Sequence, residues 1–333
     1  MSSLRRVLVR LPNWLGDALM ARPLLRALRA GLPGAAIVAV GPAPLLELLA
    51  PDRTWDEEFA WPLAPGALAA LRSLRADAAL VLPPSFSSAW FAWRAGAARR
   101  VGFAHEGRSP LLSRAVRRPP RGDLHLALEY LALGASLGVE DAGVPPALAV
   151  TPAARDESLR LRGGDGGAPW AVLAPGAAYG PAKRWPAERF AEVGRALAAR
   201  GWRLFACGGA AERETCEQVA AGCGATVLAG STTLPAMAAL CAGAAVVVSN
   251  DSGMAHLAGA VGAPTVAVFG STSSAWTAPL GSRVRVVQRP PVCAPCFART
   301  CRIGYLCLSA VSAADVLVAV DRARAGDLAM VER

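Results

Sequence analysis

The chain has 333 residues and a formal net charge of +10. Hydrophobic residues make up 53% and charged residues 18%, which excludes a disordered chain and supplies apolar material for sizeable cores. The length suggests two domains; no uninterrupted apolar run reaches the roughly 18 residues of a spanning helix, and Arg10, Pro12 and Asp17 interrupt any signal-peptide core, so a cytosolic protein is expected.

In chain order, Arg6–Leu11 (RVLVRL) reads as a buried strand. Its turn, Leu11-Pro12-Asn13-Trp14-Leu15-Gly16-Asp17, leads into a helix over Asp17–Ala30, with Leu19, Leu24, Leu25 and Leu28 at helical spacing. The turn has one glycine, so it is not the dinucleotide G-x-G-x-x-G, and no G-K-[ST] of a P-loop occurs anywhere. Asp17 stands near the helix start. It reads either as a general base or as a carboxylate that complements the helix dipole, worth about 0.3–1 kcal/mol. A strand over Ile37–Val40, a short helix over Pro44–Leu49, a strand over Ala78–Leu82 and a helix over Leu124–Leu137 follow.

Between the last two lies a basic segment. Arg94, Arg99, Arg100, Arg108, Arg114, Arg117, Arg118 and Arg121 face a single acid, Glu106. Such a segment suits a polyanion: nucleic acid, anionic lipid headgroups or a phosphorylated glycan. The alternative is a solvated arginine-rich face. No helix-turn-helix, zinc-finger or RNA-binding signature accompanies it, which argues against nucleic acid.

The pattern restarts after Thr151–Ala168, whose LRGGDGGAP reads as a flexible connection, and the domain boundary is set at 155/156. The strand Trp170–Leu173 runs into Ala174-Pro175-Gly176-Ala177-Ala178-Tyr179-Gly180-Pro181-Ala182-Lys183-Arg184-Trp185-Pro186. Small residues let an anion approach the backbone, and Lys183 and Arg184 supply positive charge, which suits a phosphate or diphosphate. Of 35 basic residues Lys183 is the one lysine, a compact charge kept where arginine otherwise prevails.

Helices over Ala187–Ala199, Ala211–Ala221, Leu234–Ala242 and Gly253–Val261 alternate with strands over Arg203–Ala206, Thr226–Leu228, Ala245–Ser249 and Thr265–Phe269. The turn Val248-Ser249-Asn250-Asp251-Ser252-Gly253-Met254-Ala255-His256 joins a buried strand to a helix. Asn250, Asp251 and Ser252 are N-cap candidates, and the N–H groups of Ser252, Gly253 and Met254 suit phosphate oxygens. Asp251 reads as a helix cap or a ligand for sugar hydroxyls; His256 reads equally as a packed or a catalytic histidine. Four cysteines, Cys293, Cys296, Cys301 and Cys307, are spaced as a candidate structural zinc site, with reduced thiols as the alternative. A closing helix over Ser312–Ala325 is a candidate to pack back on the first domain. Alternating strands and helices in both halves imply α/β architecture: two doubly wound parallel-sheet domains facing a cleft.

LPNWLGDALMARPLLRAL, PGAAYGPAKRWPAERFAEV and SNDSGMAHLAGAVGAPTVAVFG together resemble the bacterial heptosyltransferases of glycosyltransferase family nine, in the right order and spacing. PGAAYGPAKRWPAERFAEV is similar to the signature of the type that adds the second heptose. The resemblance implies a GT-B fold of two Rossmann-like domains. It implies inverting transfer of L-glycero-D-manno-heptose from ADP-heptose to a heptosyl-Kdo2-lipid A type acceptor of lipopolysaccharide, or to a different acceptor in a related member. No cofactor or D-x-D metal site is required, and the chain has no D-x-D.

On this reading Asp17 is the base and Lys183, helped by Arg184, steadies the departing ADP. Gly176, Tyr179, Asp251, Ser252, Gly253 and His256 hold the donor, and Met237 either touches adenine or packs in the core. Asn13, Trp14, Arg94, Arg99, Arg100, Arg117 and Arg118 are assigned to the acceptor, with peripheral contact at the inner face of the cytoplasmic membrane. Two competing classes are a nucleotide-sugar 2-epimerase, which shares none of the three motifs, and a non-catalytic nucleotide-binding protein, against which Asp17 argues.

Overall fold

The computed structural model describes residues 4–164, 167–326 and 331–332. The chain forms two compact units, Met1–Pro146 and Ala147–Arg333. The first holds β1 (Arg6–Arg10), α1 (Leu15–Met20), α2 (Arg22–Gly31), β2 (Ala36–Pro42), α3 (Ala43–Leu49), β3 (Glu57–Trp61), α4 (Ala67–Ser73), β4 (Ala78–Val81), α5 (Phe86–Arg94), β5 (Arg99–Phe103), β6 (Arg114–Val116) and α6 (Leu126–Ala135). The second begins with α7 (Pro152–Leu161), β7 (Trp170–Ala174), α8 (Ala187–Ala199), β8 (Arg203–Ala206), α9 (Arg213–Cys223), β9 (Thr226–Val227) and α10 (Leu234–Ala242). It continues with β10 (Val246–Asn250), α11 (Gly253–Ala260), β11 (Thr265–Phe269), α12 (Ser274–Thr277), β12 (Val284–Gln288), α13 (Leu306–Ser309), α14 (Ala313–Ala325) and β13 (Val331–Glu332).

Each unit has one parallel sheet. Strand order is β3-β2-β1-β4-β5-β6 in the first and β13-β12-β11-β10-β7-β8-β9 in the second. Both are doubly wound, and the order reverses between β1 and β4 and between β7 and β10. The registers Val7↔Ile37 and Val7↔Ala78 fix the first switch, and Val248↔Leu173 the second. Helices on the sheet faces explain why β10 (VVVSN) and β11 (TVAVF) are buried along their whole length. On α8, Phe190, Val193 and Leu197 recur at helical spacing and join Val246, Val248 and Trp185 in one core. Each such side chain contributes about 1.5–3 kcal/mol on burial.

Four expectations change. The helix expected over Asp17–Ala30 is two helices broken at Ala21. Pro23 has no N–H to donate, so it takes a first-turn position and a new helix starts there. A helix not expected from the sequence, α7, precedes the glycine-rich LRGGDGGAP, with the Thr151 hydroxyl accepting from the Ala154 N–H; that stretch is turn and coil after Leu161, and residues 165–166 of it lie outside the described residues. The boundary falls at 146/147, before the expected 155/156, because Leu148 N–H bonds Ala260 O at 2.7 Å and α7 packs on α10. The closing helix α14 is built into the second unit's own core, with Val316, Ala319 and Val320 against Val266, Val268 and Val287. Among the described residues no helix is long and apolar enough to cross a membrane.

Candidate active site

Ligands of doubly wound sheets gather at the carboxyl edge beside the switch point. In the second unit, that edge carries the loop after β7 and the loop after β10. Asn250, fully buried at the end of β10, ties the two together: its Nδ2 donates to Pro175 O at 2.6 Å, and its Oδ1 accepts from the Trp185 N–H at 2.9 Å. Asn250 is therefore a clasp and not a cap. The cap is Ser252, whose hydroxyl accepts from the Met254 N–H at 3.3 Å. One of the three N–H groups expected for phosphate is thus already committed.

Asp251 does not cap the helix. Its carboxylate lies 2.6 Å from Lys183 Nζ and also accepts from the Thr272 hydroxyl. Its side chain is 2% exposed and that of Lys183 15%. Lys183 also stands 5.0 Å above the Tyr179 ring, with Arg299 at 5.3 Å from the same ring. Tyr179 donates its hydroxyl to Phe297 O at 2.6 Å, so it positions the lysine from a fixed seat. Arg184 is exposed and its Nε donates to Ala177 O at 3.3 Å. His256 is buried in α11, one turn past Asp251, and Met237 is buried at 3% exposure in α10.

Two glycines of the loop are closely approached by other segments. A Cβ on Gly176 would meet the Glu212 carboxyl at 2.1 Å, while that carboxylate accepts from the Gly209 N–H at 2.8 Å. Gly180, at φ +152°, lies against Arg299, whose backbone O would be 2.6 Å from a Cβ there.

The segment that presses on Gly180 carries the cysteine cluster. Cys293 and Cys296 are exposed, Cys301 is half-buried and Cys307 is buried; all are free thiols. The N–H groups of Ile303 and Tyr305 donate to Cys301 Sγ and hold its pKa below the usual thiol value. Burial first, then the neighbouring Cys296, Cys301 and Cys293, pushes Cys307 up. Among the described residues no three His, Cys, Asp or Glu are placed to share a metal ion, these four included. The segment supports the lysine loop through Phe297 and Arg299, with Ala182 N–H bonded to Arg299 O at 3.0 Å.

In the first unit the equivalent edge holds Asn13, Trp14 and Asp17 after β1. Arg10 is 1% exposed, lies 4.5 Å from the Trp61 ring and donates to Asn13 Oδ1 at 2.6 Å. Burial pulls its pKa down to about 10. Asn13 is thus oriented from below, Trp14 is 60% exposed, and Asp17 sits half-buried in the first turn of α1. Asp17 is near enough to the buried Tyr130 for its charge, after burial itself, to raise that phenol.

The arginines expected for the acceptor divide. Arg118 pairs with the fully buried Glu129 at 2.7 Å. Arg100 donates to Leu111 O and Ala97 O, both at 2.7 Å, which makes it a structural brace. Arg94 ends α5 and Arg99 begins β5, so both lie at the amino edge of the sheet, opposite Asp17. Arg117, exposed after β6, is at the carboxyl edge. Arg108, fully buried, donates to Phe103 O at 2.8 Å and Pro83 O at 2.5 Å. Charge counting missed this inward turn because three arginines in the segment satisfy backbone or buried carboxylate partners and not solvent.

The motifs left out Thr272 and Glu212 in the second unit, which meet Asp251 and Gly176 of other loops, and in the first unit Arg10, which ends β1 and holds Asn13.

The family described as glycosyltransferase family 9 (heptosyltransferase) matches residues 67–306. Lipopolysaccharide heptosyltransferase 2 of Escherichia coli is 33% identical over 306 residues, spanning 85% of this chain and 88% of that protein. Lipooligosaccharide heptosyltransferase 2 of Haemophilus influenzae is 31% identical over 83% of this chain and 86% of its own length. The solved structure of the E. coli ADP-heptose lipopolysaccharide heptosyltransferase II superposes with a TM-score of 0.82 at 28% identity, covering 96% of this chain and 98% of that one.

Proposed function

The chain belongs to glycosyltransferase family 9 and has the GT-B fold, and on that premise we propose that it moves L-glycero-D-manno-heptose from ADP-heptose to the heptose of the lipopolysaccharide inner core. The observation that carries this reading is the Lys183–Asp251 pair at the second switch point, 2.6 Å apart. On this reading the compact cation faces the diphosphate and the carboxylate faces the sugar ring.

Asp17 takes the proton from the acceptor hydroxyl as that oxygen attacks the anomeric carbon. The new glycosidic bond forms on the face opposite the departing phosphate, so the anomeric centre inverts. The bond from the anomeric carbon to the phosphate oxygen breaks, and ADP leaves with the electron pair. Lys183 transfers its charge from Asp251 toward that oxygen, helped by the α11 N-terminus at Gly253. Asp251, kept in place by Thr272, then accepts from donor-sugar hydroxyls. Gly176 lets the loop lie against Glu212 beside the donor site. Arg184 and His256 complete the donor side, and Asn13, Trp14 and Arg117 the acceptor side. The chemistry uses no metal and no redox cofactor.

The acceptor is a lipid-anchored, anionic glycan, so the enzyme works in peripheral contact with the inner face of the cytoplasmic membrane. Incubating heptosyl-Kdo2-lipid A with ADP-heptose should give a product heavier by one heptose in mass spectrometry. Transfer only to the heptose-free acceptor would move the enzyme to the type that adds the first heptose. Tighter binding of UDP than ADP in calorimetry would defeat the donor assignment.

A further inference from the structure

Helix α5 is apolar on both sides. Ala89, Phe91, Ala92 and Ala95 face the first unit's core. On the other side Phe86, Trp90 and Trp93 are 49%, 43% and 48% exposed. The two indoles stack, with centroids 4.9 Å apart and planes at 25°. A helix on the surface of a globular domain normally turns polar residues outward; this one presents a stripe of aromatics at i, i+4 and i+7.

Along the chain the segment that carries the stripe is one-signed. No Asp or Glu occurs between Asp77 and Glu106, whereas Arg94 and Arg99 in that interval are exposed. Arg94 follows Trp90 by one helical turn on the same side. Trp at the polar–apolar boundary and Arg reaching to anionic headgroups are the two components of an interfacial anchor. A second copy of this face would set arginine against arginine, which disfavours self-association as the reason for the exposure.

We propose that the aromatic side of α5, with Arg94 and Arg99 beside it, is the surface by which the enzyme docks on an anionic lipid bilayer. This rests on the lipid-anchored acceptor proposed above. The placement serves that function: Ser85, which caps α5, lies on the carboxyl edge of the sheet with Asp17. The whole helix is on the order of 14 Å long. Headgroups lying along it stay within one helix length of the edge where the acceptor sugar must be presented.

The test uses the full chain, acceptor-free vesicles and the Trp90→Ser/Trp93→Ser variant. Wild type should co-sediment with phosphatidylcholine vesicles containing phosphatidylglycerol and more weakly with phosphatidylcholine alone. The double variant should bind the anionic vesicles at least about tenfold less, and Arg94→Ser or Arg99→Ser about fivefold less each. Its thermal melting and its transfer of heptose to a de-acylated, water-soluble acceptor should match wild type. The proposal is overturned if wild type ignores anionic vesicles, or if the double variant binds them equally. It is overturned in favour of a face between copies if wild type is a dimer in sedimentation velocity and the variant a monomer. A loss of transfer to the soluble acceptor would make the stripe a glycan site instead. Vesicle binding is read without donor or acceptor, so failure of the heptosyl reading leaves this result intact.

Discussion

Lys183 Nζ and Asp251 Oδ2 lie 2.6 Å apart, joining the loop after β7 to the loop after β10. The pair sits where the strand order of the second sheet reverses, so one contact ties together the two loops of that edge, and in the proposed reaction it supplies the charges at the diphosphate. Lys183→Ala should weaken ADP binding by about 10- to 100-fold and lower turnover by about 10²–10³. It should also lower stability by about 3 kcal/mol, because Asp251 stays behind in a buried site. Calorimetry with ADP and urea unfolding separate the two effects; unchanged ADP affinity would remove Lys183 from the phosphate site.

Asp17 is on the other unit, so its loss should leave the donor site unaltered. Asp17→Ala is expected to lower transfer by about 10²–10⁴ with ADP affinity at the wild-type value. Transfer within about tenfold of wild type would be incompatible with a general base at this position.

Gly176→Ala should destabilise by about 1–3 kcal/mol, since the new methyl meets the Glu212 carboxyl and that group must release the Gly209 N–H. Combining it with Glu212→Ala relieves the clash. In a double-mutant cycle the pair should therefore cost less than the sum of the single changes. Additive costs would mean that the glycine is needed for another reason.

Asp77 pins the start of β1. Its Oδ2 accepts from the N–H groups of Arg5 at 2.7 Å and Arg6 at 2.8 Å. The Arg6 N–H first, then that of Arg5, holds the carboxyl below its ordinary range. A carboxyl lowered by folding stabilises fully above its unfolded pKa, and that stability is lost as pH falls through the folded value. Asp77→Ala should therefore cost about 1–2 kcal/mol at pH 7. The gap to wild type should narrow below about pH 4. Urea melts at the two pH values decide this.

Thiol reactivity should follow burial. Cys293, Cys296 and Cys301 are accessible or activated, whereas burial pushes Cys216 and Cys241 up to about 12. Alkylation of the native chain at pH 8, mapped by mass spectrometry, should mark the first three and reach Cys207, Cys216 and Cys241 only after denaturation.

The sequence by itself determined the class of fold, the strands that form both switch points and the three turns to which the proposed chemistry is assigned. Apolar runs and glycine-rich strand-to-helix turns are local signals, and Asp17, Lys183 and Asp251 could be named from them. It did not separate working arginines from structural ones. Whether Arg100, Arg108 or Arg118 meets solvent depends on Leu111, Pro83 and Glu129, residues whose positions are set by other strands and helices. Nor could spacing reveal that Asn250 clasps the loop after β7, that Asp251 answers Lys183 across 68 residues, or that the cysteine-bearing segment braces that loop through Phe297 and Arg299. The β3, β5, β6 and β12 strands were hidden for a related reason: charged ends and short lengths erase the apolar run, and only pairing with a neighbour makes such segments strands. The tertiary structure decided these points because each depends on two segments distant in sequence meeting, and a hydrogen bond or ion pair exists only once both are in place.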